Sequence, residues 1–344
     1  MAHPYRLREI AQQAGLSLAT VDRVLHGRPG VRAATVVEVH RAIADLERQA
    51  SQVRLGGATF FLDVVVLAPD RFSRAVRAAL EAELPTLRPA VVRARFHLRE
   101  DGTVADLVAD LDRIGRRGSS GVLLKAPDDP AVVAAVGRLE ERGVPVVTFV
   151  TDVPTSRRVA YVGMDDRAAG ATAAYLLTAV APDAGGVLVS LSRSTFRGEG
   201  DREQGFRAAL RDLAPHLPVH VVEGGDGLDA STRETVAGAL AGAPAVDLVY
   251  SAGGGNRAVL AAFDAAGRRV RGFVAHDLDA DNVALLRERR LTAVLHHDLR
   301  ADVRRVCRAV MQVQGALPGR PSSVPSQIQV ITPYNEPAAF GGDA

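Results

Sequence analysis

The sequence predicts an all-α helix–turn–helix head at the amino terminus, followed by a larger α/β core folded as two doubly wound lobes. Three observations carry that expectation. Residues 6–30, RLREIAQQAGLSLATVDRVLHGRPG, set two short amphipathic segments on either side of a glycine. Beyond residue 60, apolar runs of strand length alternate with amphipathic stretches of helix length, the pattern of parallel strands covered by helices on both faces. About nine such units follow one another, more than one comfortable sheet holds.

In the head, Leu7, Ile10, Ala11 and Ala14 recur at helical spacing, and Gly15 stands where a tight turn can use a positive φ. Ser17 then offers a hydroxyl to cap the next helix. That helix turns Val21, Val24 and Leu25 inward and leaves Leu18, Ala19, Asp22 and Arg23 facing out. A short helix with free N-terminal residues is the shape that enters a major groove, so sequence-specific DNA binding is the first expectation. A bland helical hairpin is the weaker reading, because turn, cap and spacing all agree.

In the core, strands are expected at 62–68, 121–124, 144–150, 186–191, 219–222, 246–251, 272–275 and 292–296, with a last one over 327–332. Helices are expected at 71–84, 103–116, 130–142, 166–180 and 204–213. The tail PYNEPAAFGGDA holds no leucine heptad for a terminal bundle, so the expected assembly is a homodimer and not a tetramer.

Composition narrows the classes. A chain of 344 residues with 47% hydrophobic content holds ample core for a small and a large domain. No apolar run is long enough for a bilayer, and MAHPYRLRE has no apolar signal core, so a cytoplasmic protein without membrane contact is expected. One cysteine, Cys307, leaves no disulfide framework and no cysteine cluster for zinc; within the pattern Val303, Val306, Val310 it reads as a packed core residue. Residues 1–58 carry eight Arg against five Asp/Glu, while the remainder has 34 basic and 35 acidic residues, so the excess positive charge lies in the head.

AGLSLATVDRVLHG resembles the DNA-reading segment of the lactose-repressor (LacI/GalR-type) family of bacterial regulators, and 31–46 fits the third helix of that headpiece. The resemblance implies that Leu18 and Ala19 meet base edges, that Ser17 and Thr20 anchor phosphates, and that Arg23 reads a base or a phosphate. Asp22 stands where the family more often has Ser, and His26, a further candidate DNA contact, where it often has Asn. Leu18 and Ala19 can only meet thymine methyls or complement shape, which leaves Arg23 as the direct reader. Between head and core the family has Tyr-x-Pro-Asn and then Ala-Arg-x-Leu, a hinge helix that drives a leucine into the minor groove. Here LERQASQVRLGG lacks the tyrosine and the proline. Val53 or Leu55 is the candidate wedge with Arg54 beside it, and Gly56-Gly57 disfavours helix, so a less ordered linker is expected.

RGVPVVTFVTDVPTSRRVAYVGMDDRAAGATAAYLL, DREQGFRAAL and GFVAHDLDADNVALL are similar to the effector domains of the same family. They imply the fold of periplasmic sugar-binding proteins (type I): two lobes, three crossovers and a ligand in the cleft. The implied division is 1–48 for DNA, 49–59 as hinge and 60–340 for the effector. Lobe one takes about 60–163 and 298–326, and lobe two about 164–297 and 327–340. Ligands of doubly wound sheets sit beyond the carboxyl ends of strands. The family places ligand contacts at Asp152, Arg202 and Asp277, with Asp152 and Arg202 expected to grip from opposite lobes. Phe72, Asn256 and His297 are further candidates, weighed against packing and turn roles, while Asp70, Arg71 and Lys125 read as solvated loop charges. Asp165 and Asp166 open a helix, where capping accounts for one of them. Carboxylates, Arg, Asn and an aromatic such as Phe72 or Phe196 suit a sugar or polyol.

Two features point to enzymes instead. Gly253-Gly254-Gly255-Asn256-Arg257-Ala258 fits G-x-G-x-x-A with Asp277 downstream, as in a nicotinamide-dependent oxidoreductase. The fingerprint belongs at the first strand of its domain, however, and a glycine turn that lets a ligand or backbone approach is the better reading. His296-His297-Asp298 could suggest a metal, but neighbours on a strand point to opposite faces. No HExxH, P-loop, G-x-S-x-G or CxxC occurs, so neither enzyme, cofactor nor metal is expected. The leading expectation is a ligand-responsive repressor, dimeric on a near-palindromic double-stranded operator. A sugar-binding transport-type protein is the alternative, opposed by the missing signal and the added head.

Overall fold

The computed structural model describes residues 5–337 apart from 89, 193–194 and 225–227, and omits the side chains of 51, 52, 54 and 55. The head is three helices, α1 (Leu7–Ala14), α2 (Leu18–Leu25) and α3 (Ala33–Leu55). Gly15 closes α1 at φ 65°, and the Ser17 hydroxyl accepts from the Thr20 amide at 3.2 Å to open α2. Ile10, Ala11, Val21, Val39 and Ala42 form the small core that sets α2 across the other two helices.

The linker differs from expectation. Its backbone stays helical to Leu55 as the end of α3, and the break comes at the glycine pair, with Gly57 at φ 82°. The physical reason lies in the missing proline. With no ring to remove an amide after Leu46, residues 47–53 are all tolerant helix formers and the ladder runs on until the glycines.

The core holds two sheets. The first comprises β1 (Thr59–Leu67), β2 (Val91–Arg99), β3 (Gly121–Lys125), β4 (Val146–Phe149) and β5 (Ala160–Val162), in the order β2-β1-β3-β4-β5 and parallel throughout. The second comprises β6 (Val187–Ser190), β7 (Val219–Val222), β8 (Leu248–Ser251), β9 (Gly272–His276), β10 (Ala293–His296) and β11 (Gln329–Ile331), in the order β11-β10-β9-β8-β6-β7. Apart from the antiparallel β11, it repeats the topology of the first sheet. Helices α4 (Asp70–Glu83), α5 (Val104–Arg117) and α6 (Pro130–Glu141) follow the first strands, α7 (Asp166–Val180) leads from β5 to β6, and α8 (Arg197–Leu213), α9 (Asp229–Gly242), α10 (Asn256–Ala265) and α11 (Ala280–Arg287) follow the second set. Then α12 (Leu299–Val313) returns to the first lobe, where Val303, Val306, Cys307 and Val310 pack with β1 and α4. Burial pushes the Cys307 thiol up to about 12, as befits a packed residue.

Three crossings join the lobes, and one knot ties them. The Ser326 amide donates to the Gly163 carbonyl at 2.7 Å, and its hydroxyl donates to Asp302 at 2.9 Å. Asp302 also accepts from Arg305 at 2.7 Å and pairs with His297. Within lobe two, α7 and α8 touch backbone to backbone. A Cβ on Gly170 would lie 1.9 Å from the Arg202 carbonyl oxygen, and one on Gly205 would lie 2.1 Å from that of Arg167. Only glycine permits this approach, and it turns Arg202 toward the space between the lobes.

Candidate functional site

Both sheets reverse strand order between their first and third strands, and the cleft lies beyond the carboxyl ends at these two switch points. Leu67, Ala68 and Lys125 come from the first lobe, and Ser192, Ala252 and Gly253 from the second. Each lobe also bends a non-glycine residue into the left-handed region at the same topological point. Val150 after β4 has φ 65°, and Asp277 after β9 has φ 62°. Backbone strain of this kind costs on the order of 1–3 kcal/mol and gathers at ligand sites. For the β-branched Val150 it is a strong outlier.

Three cations, Arg202, Lys125 and Arg71, line the cleft. Arg202, 4% exposed, donates from Nε to Asp166 at 2.7 Å and from Nη1 to the Ala252 carbonyl at 2.9 Å. Burial opposes the charge of Arg202, but Asp166 and Asp277 outweigh it and hold the guanidinium more firmly protonated. Burial pushes the Asp166 carboxyl up, although Arg202 pulls it down. Lys125 sits with Nζ 4.1 Å from the centre of the Phe196 ring and 5.5 Å from that of Phe72. Glu199 accepts from the Ser192 amide at 2.6 Å and from its hydroxyl, and burial pushes its carboxyl up. Arg71 of lobe one reaches Asp279 of lobe two at 3.1 Å, and the Gly198 amide donates to Thr151 at 3.1 Å, so the lobes meet around the cleft.

In the head, Leu18 is 53% exposed, and Ala19 and Arg23 are exposed beside it. Residues 6–48 match bacterial regulatory proteins of the lacI family, and residues 64–316 match the periplasmic binding protein domain. The chain belongs to the lacI family of bacterial regulatory proteins, with a periplasmic binding protein domain as its core.

A curated relative, the HTH-type transcriptional regulator reg1 of Streptomyces lividans, is 30% identical over 174 residues, which are 48% of this chain and 47% of that protein. The match thus spans about half the relative's length. Among solved structures, the glucose-galactose binding protein GanP of Geobacillus stearothermophilus superposes with TM-score 0.72 at 18% identity, over 81% of this chain and 99% of that one. A periplasmic solute binding protein from Actinobacillus succinogenes, solved with bound D-allose, gives TM-score 0.70 at 12% identity, over 80% and 98%. At such identities the likeness shows the fold.

In this lacI-family chain the expected effector residues divide. Phe72, Arg202 and Asp277 line the cleft. Asp152 does not. Its carboxylate accepts from Arg158 Nη2 at 2.6 Å, Thr148 at 2.6 Å and the Val153 amide at 2.8 Å, and it borders a separate depression beside Tyr161 and Asp165. The correction has a local cause. Arg158 returns on the same loop and takes both carboxylate oxygens, so in this structure Asp152 fastens that loop and does not face Arg202 across the cleft. Asn256 lies behind the cleft wall and donates to Asn282 at 2.7 Å; Asn282 in turn donates to the carbonyls of His276 and Asp277. His297 is fully buried, with Nδ1 on Asp302 and Nε2 3.8 Å from Asp277 Oδ1. It stands behind Asp277, between cleft and hinge.

Arg71 and Lys125, read from sequence as solvated charges, instead line the cleft. Lys125 had a signal of its own, since it is the only lysine in the chain and ends a strand. Glu199, His276, Asp279 and Asn282 were missed, because their meaning depends on which lobe faces which. The glycine turn is explained by Arg71: a Cβ on Gly254, at φ 92°, would lie 2.8 Å from Arg71 Nη2, and one on Gly253 would lie 2.2 Å from the Ser192 amide. Those glycines admit the Arg71 side chain and the Ser192 backbone. Among the described residues there is no group of three His, Cys, Asp or Glu that could hold a metal, and no helix is long and apolar enough to cross a membrane.

In the headpiece, the Ser17 and Thr20 hydroxyls lie 2.8 Å apart, and the His26 ring meets the Asp22 carbonyl at 2.9 Å. Asp22 also accepts from Arg28 at 2.9 Å, so the unusual aspartate fastens the end of the reading helix. Leu55 closes α3; its side chain lies outside the described residues.

Proposed function

We propose that this chain is a cytoplasmic, ligand-responsive transcriptional repressor that binds a near-palindromic operator as a homodimer. In this reading, residues 1–48 contact DNA, 49–59 form the hinge, and a sugar or polyol bound within 60–340 sets operator affinity. The observation that carries it is the union in one chain of an exposed, capped reading helix with a cleft of converging buried polar groups. Phe72 and Phe196 offer apolar ring faces, while Arg202 and Asp277 offer a donor and an acceptor for neighbouring hydroxyls. The reg1 relative supports the regulatory half, and the sugar-binding relatives support the effector half. Coupling follows from linkage: a ligand that favours one lobe arrangement shifts DNA affinity by the factor by which DNA shifts its own.

The test has two arms. Operator sequences selected from random DNA should bind the full chain tightly, and Arg23→Ala should weaken them by about 1–3 kcal/mol, relaxing one base position. Equal loss on all sequences would make Arg23 a phosphate contact. A sugar or polyol at 100 times its Kd should raise stability by about 2.7 kcal/mol, visible as a thermal shift, and should change operator affinity. A chain that binds DNA with no sequence preference refutes the regulatory reading.

A further inference from the structure

His276 ends β9 on the face that packs against α7 and α8, in the same layer as Val274 and Tyr250. It is buried and lines the cleft beside Arg202 and Asp277. Its Nε2 lies 2.8 Å from the hydroxyl of Tyr250. Tyr250 is fully buried and is held by stacking on Phe206, with ring centres 4.8 Å apart and planes at 16°. The other ring nitrogen, Nδ1, is buried and meets no partner among the described residues. An apolar pair would fill this layer without that cost, so the polar pair asks for a reason.

The hydrogen positions follow from the surroundings. Burial, reinforced by the positive charge of Arg202, pushes the His276 imidazole well below its ordinary range, so the ring is neutral at pH 7 and carries a single N–H. Burial likewise raises the Tyr250 phenol, which keeps its proton. Among the described residues that proton finds one acceptor, Nε2 of His276. The hydroxyl therefore donates to Nε2, and the imidazole hydrogen sits on Nδ1. The backbone beneath is fixed, since Asn282 donates to the carbonyls of His276 and Asp277 at 2.9 and 2.6 Å.

We propose that His276 is a specificity-determining donor of the cleft, whose Nδ1–H takes a hydroxyl or carbonyl oxygen of the effector. Tyr250 is the positioning residue that fixes the tautomer. The proposal rests on the reading of the cleft as a sugar or polyol site and narrows it. The effector carries an accepting oxygen at His276 next to a hydroxyl that donates to the carboxylate of Asp277, which lines the same cleft. A deoxy analogue lacking the first oxygen is rejected, because it leaves a buried N–H unmet.

The experiment uses the full chain with 15N-labelled histidine, and as probes D-glucose, D-galactose, D-allose and L-arabinose. Imidazole 15N spectra, assigned with His276→Gln, should show the Nδ1–H tautomer in the wild type and loss of that single tautomer in Tyr250→Phe. A sugar that raises the wild-type melting temperature should bind His276→Phe at least tenfold more weakly, and His276→Gln, which keeps a donor, should recover part of the loss. Operator binding without sugar, measured on each variant, reports that the fold is kept. An Nε2–H tautomer in the wild type overturns the proposal. If a sugar binds the wild type and His276→Phe equally, the proposal falls and the sugar reading stands. If none of the four sugars shifts the wild type, the sugar reading falls and takes the proposal with it.

Discussion

Arg202→Ala is the perturbation with the largest magnitude that the structure specifies. It removes a 4%-exposed guanidinium from Asp166, itself 9% exposed, and takes away the donor to the Ala252 carbonyl. Breaking one side of a buried pair costs about 3–5 kcal/mol, because the remaining charge loses its counter-ion out of reach of water, and Asp166 would keep only the Tyr161 hydroxyl at 3.3 Å. Against the ~5–15 kcal/mol of a typical domain, such a loss is plain in urea unfolding. Asp166 relieves part of it by taking a proton, since burial already pushes its carboxyl up. A carboxyl whose folded pKa is raised destabilises increasingly as pH rises through that range. The variant's deficit should therefore be small near pH 4 and full at pH 7. The double variant Arg202→Met with Asp166→Leu should recover much of the loss, because an apolar pair leaves no orphaned charge. Neither variant should respond to sugar. A deficit under about 1 kcal/mol at pH 7, or one that grows toward acid pH, would refute the view of the pair as closed off from water.

Asp152→Ala should cost about 1–3 kcal/mol by freeing the loop that Arg158 clamps, yet leave the sugar-induced thermal shift in place; loss of the shift would return Asp152 to the effector contacts. Gly56→Ala should favour helix by about 0.8–1.0 kcal/mol at the joint after α3 and strengthen the effect of sugar on operator affinity. Unchanged coupling in anisotropy titrations would show that the joint is already stiff. Burial pushes Asp63, Glu83, Asp110 and Asp302 up, but bonds from His97, Arg304, Arg99 and His297 outweigh it and hold these carboxyls below their ordinary range. Lowered carboxyl values give stability that is full above the unfolded range and lost as pH falls through the folded one, so the melting temperature should hold from pH 8 to 5 and drop below about pH 4. Asp63→Asn should flatten that drop; a steeper one would contradict the network.

Most of the fold was legible because its signals are local. Gly15, Ser17 and the spacing of Ile10, Ala11 and Val21 define the headpiece without any distant contact. Buried strands such as β3, GVLLK, read as apolar runs. The elements missed are those whose identity depends on neighbours. β2, VVRARFHLR, looks polar in isolation because Arg95 and His97 turn their side chains to Asp63, a carboxylate buried on the adjacent β1. α8 begins at Arg197, ahead of the expected 204, because its first turn packs under the opposite lobe. The cleft was half legible for the same reason. Asp277 sits just past a strand end where topology alone points, and Arg202 falls in a segment similar to the family's effector domains, whereas Arg71 and Asp279 become a pair only once the lobes face each other.

The same facing of lobes supplies the route by which an effector could reach DNA. Asp277 lies in the cleft, and 3.8 Å behind it stands His297, whose other nitrogen is bound to Asp302. Asp302 holds Ser326, and Ser326 holds Gly163, so a short chain of bonds runs from His297 through all three crossings, and a gap of 3.8 Å separates it from Asp277. In the proposed reading, a ligand hydroxyl that draws on Asp277 works beside this chain of bonds without touching it. On the other side, β1 begins at Thr59, just past the glycine pair that ends α3, and its far end, Leu67, opens into the cleft. Headpiece and cleft are thus the two ends of one helix–glycine–strand path. Helix and strand are stiff along their length, so the compliance of that path is concentrated at residues 56–58. A family hinge built on proline and asparagine would place the break before the wedge residue. This chain places it after Leu55, so α3 belongs with the headpiece, and the glycine pair is the joint between that piece and β1.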